Sequence, residues 1–233
     1  MSESDSVWRR ARALADELRC IVEALSSQEL DGESLDEAAA LARRIGEGLK
    51  GPRRLRWYET DAVATSLSPA SRRAYLDQSP IRGGLNPLAP PLSLEVTTRS
   101  DGTPVVRGRA RLGMAYEGPP HGVHGGWVAA LFDDLLGATQ VLADAPGVTA
   151  SLTVRFRAVT PIDEDLDFEA WLHEDRGRRV VAYATCRAAG ALTAEAEALF
   201  VSVDFNEIQE RMRSRREQRE AGSSEGLPER GGE

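Results

Sequence analysis

The feature that leaves this chain fewest options is His124-Gly125-Gly126, followed by the run Trp127 to Leu142. The run is apolar on all sides apart from Asp133 and Asp134 near its middle, so it reads as a helix at the centre of a domain. About sixteen residues interrupted by two acids is too short for a membrane span. An ionised carboxylate in a dry interior must find partners or change its pKa, so the two acids are costly there. That cost is the main functional clue. The glycines are the second. A helix N-terminus offers free N–H groups and a positive dipole end, which favour an anion or a developing oxyanion. Glycine at that point lets a ligand approach the main chain closely. Along one helix Gly125 and Asp133 stand about 12 Å apart, so one reacting carbonyl cannot touch both. If both take part, the acid comes from a second copy of the helix, as a two-fold dimer would supply.

At 233 residues the chain is long enough for one ample core plus appendages. Its net charge of −8 argues against non-specific nucleic-acid binding. Cys20 and Cys186 form no disulfide framework and no metal spacing, which suits a reduced, cytoplasmic setting with no metal. The N-terminus lacks the apolar core of a signal peptide, and no segment is long and apolar enough to cross a bilayer. No internal repeat is visible.

Taken in order, residues 4 to 26 read as an amphipathic helix, with Trp8, Ala11, Leu14, Leu18, Ile21 and Leu25 at three- and four-residue steps. A second helix is expected from Ser34, where Ser34 and Glu37 fit a capping box, to the Gly51-Pro52 break. Together they suggest a helical hairpin that docks on the domain or steadies a dimer. Residues 53 to 92 look irregular. Arg53-Arg54-Leu55-Arg56-Trp57-Tyr58 mixes arginine with aromatics, but in an acidic chain it reads as a solvated connector. Asn86 to Leu92 is too rich in proline for a helix and should lie along the surface or line a pocket mouth.

From Leu92 the pattern becomes β. Leu92 to Arg99 and Val105 to Leu112 flank the turn Ser100-Asp101-Gly102. After the central helix come Thr149 to Val159, Leu166 to Glu174, Arg179 to Ala188 and Ala191 to Val203. Two strands, a buried helix and four strands predict an α+β domain, an antiparallel sheet wrapped around a helix. Four regions follow: a helical extension over 1–52, a connector over 53–83, the α+β domain over 84–206 and a charged tail over 207–233. In the tail, Ile208 to Arg219 could extend as a polar helix, with the end disordered.

The diglycine, the acid eight residues beyond it and the following strand Thr149-Ala150-Ser151-Leu152-Thr153-Val154-Arg155-Phe156 together resemble the PaaI-type hotdog-fold thioesterases. The loop Tyr116-Glu117-Gly118-Pro119-Pro120 is similar to the branch around thioesterase superfamily member four. The resemblance covers about residues 84 to 204. It implies hydrolysis of acyl-coenzyme A thioesters without a metal or cofactor, coenzyme A being part of the substrate. It implies a homodimer or a dimer of dimers. The residue matching Gly125 donates its N–H to the thioester oxygen, and the partner's residue matching Asp133 serves as general base or nucleophile. Thr149 matches a Ser or Thr position near that acid. His121, Trp127 and Gly118 depart from the pattern; where another branch carries a water-positioning asparagine, this chain has Gly118.

Residue by residue, Asp133 is the candidate base, and burial with few partners would raise such a carboxyl towards neutral pH. Asp134 sits about 100° further round the helix and is expected to face a dimer partner or a strand backbone, the alternative being that it is the catalytic acid in place of Asp133. Gly125 is the oxyanion donor, with Gly126 beside it at the substrate. His124 is either a second base or, as favoured, a ring that bonds neighbouring backbone and shapes the loop. Thr149 is either a site residue or an ordinary strand threonine. Coenzyme A carries phosphates, so Arg155, Arg157 and Arg178 are candidates for a pocket rim, and Asn86 for a pocket mouth. The absence of a Ser-centred elbow argues against an α/β-hydrolase. The competing functions are a non-catalytic acyl-CoA sensor or scaffold, a thioesterase for acyl-carrier protein, and a hotdog dehydratase, whose His-containing motif is missing.

Overall fold

A computed structural model of the chain describes residues 3–52, 76–143 and 147–203, together with Glu210, Arg211, Ser214 and Arg215. The Arg53 to Tyr58 stretch and most of the charged tail lie outside the described residues; the four tail residues just named are helical.

Six strands form one sheet in the order β1 (Ser93–Thr98), β2 (Pro104–Arg111), β4 (Asp165–Asp175), β5 (Arg179–Ala188), β6 (Ala191–Ser202) and β3 (Gly147–Phe156). Every neighbouring pair is antiparallel. The expected α+β arrangement is present, with the sheet around helix α3 (Gly125–Ala138). Leu131, Phe132, Leu135 and Leu136 of α3 are fully buried against the sheet's inner face, with Phe132 edge-on to Phe168 at 5.7 Å between ring centres. The strands facing the helix carry small inward side chains, Ala182 and Ala184 on β5 and Ala196 and Ala198 on β6. Small residues let the helix lie close to the sheet, so its leucines fill the gap without voids. The β5–β6 hairpin turns on Ala189 and Gly190, both at positive φ, as a two-residue turn needs.

Helix α1 (Glu3–Ser27) is tied to the domain by polar contacts as well as by Ala15, which is buried. Trp8 Nε1 donates to Asp77 Oδ2 at 2.7 Å. The Arg19 guanidinium donates to the carbonyls of Asn86 at 2.7 Å and Gly83 at 3.1 Å, and so holds the proline-rich loop down. That loop is partly interior, with Ala89 and Leu92 buried. Helix α2 (Gly32–Gly48) differs from expectation at its start. Asp31, not Ser34, is the N-cap and accepts from the Ser34 N–H at 2.9 Å, because its short carboxylate reaches a free first-turn donor from extended backbone. α2 buries none of its residues, and Leu35, Leu41, Ile45 and Leu49 of its apolar stripe stay exposed. No helix among the described residues is long and apolar enough to cross a membrane.

Candidate active site

The loop before α3 is built to place the diglycine. His124 N donates to Tyr116 O and Val123 N to Thr160 O, which fixes the approach to the helix. Gly118 lies under that crossing: a Cβ there would stand 2.6 Å from the His124 Cα, so no side chain fits without moving the loop. This is the physical content of the departure at Gly118. Trp127 leans edge-on against Tyr116 at 5.2 Å, and burial pushes the Tyr116 hydroxyl above its ordinary pKa.

His124 is the N-cap of α3, its Nδ1 accepting from the Gly126 N–H at 3.0 Å. The loop-shaping reading of His124 fits this geometry, since an Nδ1 used as acceptor is not available as a base. The Trp127 and Val128 amides donate to the His124 carbonyl at 2.9 and 3.3 Å. Among the described residues, the Gly125 N–H is the one first-turn amide with no acceptor. It lies at the positive end of a helix dipole, half-exposed.

Eight residues along, the two acids part company. Asp133 is exposed in the single chain, and its Oδ1 accepts from the Thr149 hydroxyl at 2.9 Å. The expectation of a buried Asp133 therefore does not hold for one chain alone. Its face of α3 looks towards β3, which forms the edge of the sheet among the described residues. Asp134 is the more enclosed acid, its side chain 14 % exposed, with Arg82 Nε 2.9 Å away. The pair is electrostatic in character, since the Nε–H is not aimed for a hydrogen bond and neither atom makes another. Burial raises the Asp134 carboxyl above its ordinary value; Arg82 opposes the rise and Asp133 adds to it. Asp134 thus faces the chain's own connector rather than a strand backbone. Arg82 lies in a stretch with no periodic signal, so only the path of the connector could reveal it.

A β-bulge sets the Thr149 contact. The register of β3 against β6 shifts between Thr149 and Ser151. Thr149 pairs with Phe200, Leu152 with Ala198, Val154 with Ala196 and Phe156 with Ala194, all inward-facing partners. Without the extra residue, Thr149 and Leu152 would point to opposite faces. The bulge keeps both on the helix side. At the far end of β3 the Phe156 ring covers Gly125: a Cβ on that glycine would stand 3.1 Å from the ring's Cζ.

The other candidates do not converge. Arg155 pairs with Glu195 on the outer face, opposite α3, and Arg157 is ion-paired with Glu195. Arg178 lies in the β4–β5 turn, its carbonyl accepting from Ser202 N, near the Thr149 end of β3 instead. Strand alternation, counted from Phe156, could have put Arg155 outside. Asn86 is spent on its own loop, its amide donating to Gln78 O and Ser79 O and its Oδ1 accepting from Leu88 N. No group of three or more His, Cys, Asp or Glu among the described residues could hold a metal ion.

No family model matches the chain. The crystal structure of a thioesterase superfamily protein is similar to it, with 31 % sequence identity, a TM-score of 0.66, and coverage of 82 % of this chain and 90 % of that one. The human acyl-coenzyme A thioesterase THEM5 is 31 % identical over 97 residues, 41 % of this chain. That match spans 39 % of the length of the human relative.

Proposed function

Because the chain belongs to the thioesterase superfamily, we propose that it hydrolyses acyl-coenzyme A thioesters at a site shared between two copies. The observation that carries this reading is the placement of two complementary groups along one open edge. The unsatisfied Gly125 amide lies at the Phe156 end of β3, and the Asp133–Thr149 pair lies at the other end. Among the described residues β3 is an edge strand, paired only with β6, and its exposed apolar residues Val148 and Phe156 make it a template for another strand. Antiparallel pairing of β3 with its own copy, about a two-fold axis near Leu152, would bring the Thr149 end of one chain to the Phe156 end of the other. Asp133 would then approach the partner's diglycine and lose its exposure to solvent.

In that arrangement the thioester oxygen accepts from the Gly125 N–H, whose bond strengthens as negative charge develops on the oxygen. Asp133 takes a proton from water attacking the carbonyl, with Thr149 holding the carboxylate in place. The tetrahedral intermediate collapses, coenzyme A leaves as the thiol and the acid is released. Direct attack by Asp133 to give a mixed anhydride is the alternative, and a single turnover in labelled water tells them apart by whether the enzyme carboxylate acquires label. The THEM5 similarity supports the substrate class.

Subunit complementation tests the shared site. Asp133→Ala and Gly125→Pro should each be inactive alone, proline at the first helical position removing the free N–H while its ring displaces the Phe156 side chain by a few tenths of an ångström. Mixed subunits should recover about a quarter of wild-type thiol release, since half of the dimers would hold one intact site of two. No recovery with both variants folded and mixed would leave the cross-subunit site without support. Undetectable turnover by the unmodified protein on any acyl-CoA would favour the sensor reading.

A further inference from the structure

We propose that the Phe156 ring is the wall against which the substrate's acyl group packs, making Phe156 a specificity-determining residue. The inference rests on the acyl-CoA reading above and adds which part of the substrate meets which side chain.

The place of the side chain missing at Gly125 is occupied by the edge of Phe156, whose Cζ lies 3.1 Å from where a Cβ would be. A carbonyl oxygen accepting from the Gly125 N–H sits about 3 Å from that nitrogen. A substituent of such a carbonyl that turns to the Cβ side of Gly125 meets the ring.

The ring's own situation points the same way. Phe156 pairs with Ala194, a fully buried inward position, so it projects to the helix side of the sheet. It is nonetheless 56 % exposed in the single chain, because β3 ends there and no further strand among the described residues covers it. A large aromatic surface left open in the single chain beside an unsatisfied amide is an apolar-plus-polar pairing of the kind ligands use.

A thioester carbonyl has two substituents, the acyl chain and the sulfur arm of coenzyme A. The coenzyme arm passes through a short pair of methylenes to amides and phosphates, which gain less from an aromatic face than a hydrocarbon chain does and are better served by water and cations. The acyl chain is the apolar partner, and burying it against the ring is favourable in proportion to its area. The ring also keeps water from the Gly125 N–H on that side, which strengthens the hydrogen bond to a developing oxyanion.

The test compares the kcat/KM of acetyl-CoA with that of hexanoyl-CoA and phenylacetyl-CoA for the full chain, Phe156→Ala and Phe156→Leu. Assembly is followed by light-scattering mass at the assay concentration. Both variants should lose rate on every substrate, but unequally. In Phe156→Ala the ratio of phenylacetyl-CoA to acetyl-CoA should fall about tenfold or more, the scale of a lost apolar contact in a pocket. Phe156→Leu should retain part of that ratio, being apolar but not aromatic. An equal loss on all three substrates would overturn the proposal and move the ring to the coenzyme side. A loss of assembled mass with the ratio unchanged would also overturn it, leaving Phe156 as a subunit contact only. Wild-type inactivity on the whole panel would instead sink the acyl-CoA reading itself.

Discussion

Asp133 and Asp134 are neighbours in sequence on the same helix, yet they occupy two different chemical worlds. Asp134 is enclosed by its own chain and has Arg82 against it. Asp133 opens to solvent beside the edge strand and holds only the Thr149 hydroxyl. A rotation of about 100° between consecutive helical residues suffices for this, because one direction meets the connector and the other meets the rim of the sheet. The lesson is that the costly carboxylate and the available carboxylate are different residues. The enclosed acid serves structure. The exposed one is free to meet a second copy and a substrate.

That contrast can be broken by experiment. The largest expected effect is on rate: Asp133→Ala should lower kcat about a thousandfold while leaving the unfolding temperature nearly unchanged. A large loss of stability would instead put Asp133 with its neighbour. The next largest is on stability. Asp134→Ala strands the Arg82 charge in a poorly solvated spot and should destabilise the chain by about 3 kcal/mol in denaturant titration. Replacing both partners, as Asp134→Leu with Arg82→Met, should return most of that loss. Thr149→Val keeps the shape of the strand but removes the hydroxyl, and should cost about tenfold in kcat with little change in stability.

The smallest effects are in the pH dependence of folding. The Asp134 carboxyl is raised by burial, so the folded chain binds its proton more tightly than the unfolded chain does. Its contribution is therefore present below the ordinary value of 3.8 and lost as pH rises through the raised folded value. The stability difference between wild type and Asp134→Asn should shift in favour of wild type as pH falls. Glu169 has the opposite sign. Burial pushes it up, but hydrogen bonds from Arg99 and Arg107 outweigh that and hold it below 4.5. Its stabilisation is present above 4.5 and lost as pH falls through the lowered value, so the gap to Glu169→Gln should shrink with acidification. Parallel acid titrations of the three proteins, read by unfolding midpoint, check both signs. The Glu169 effect should be small, because its pairs with Arg99 and Arg107 are partly exposed.

Much of the fold was legible before any coordinates. Strand alternation and turn residues located all six strands, and the uniformly apolar run after the diglycine located the helix they enclose. The helix start of α2 was read at Ser34 because a capping box is a pattern of residue types, whereas the cap belongs to whichever side chain reaches the free amide, and that is Asp31. At the site, the spacing from Gly125 to Asp133 and the presence of Thr149 were visible, but not their contact. The contact depends on a bulge at Ala150, and nothing in the alternation of apolar residues announces one extra residue. The placement of the arginines was hidden for the reverse reason. Charge is visible in a sequence, but the face it emerges on depends on register, and Arg155 and Arg157 emerge away from α3 beside Glu195.

The sequence by itself determined the periods: a helix apolar on every side that must be surrounded, strands that alternate and can surround it, and a glycine pair with no side chain to block its amides. Those follow from local sterics and from the cost of exposing apolar surface, both of which are written residue by residue. Only the tertiary structure decided which acid is enclosed, which amide is left without an acceptor, and which ring closes over it. Each of these depends on segments distant in the chain arriving at one place, Arg82 at Asp134, Thr149 at Asp133 and Phe156 at Gly125, and no local rule carries that information.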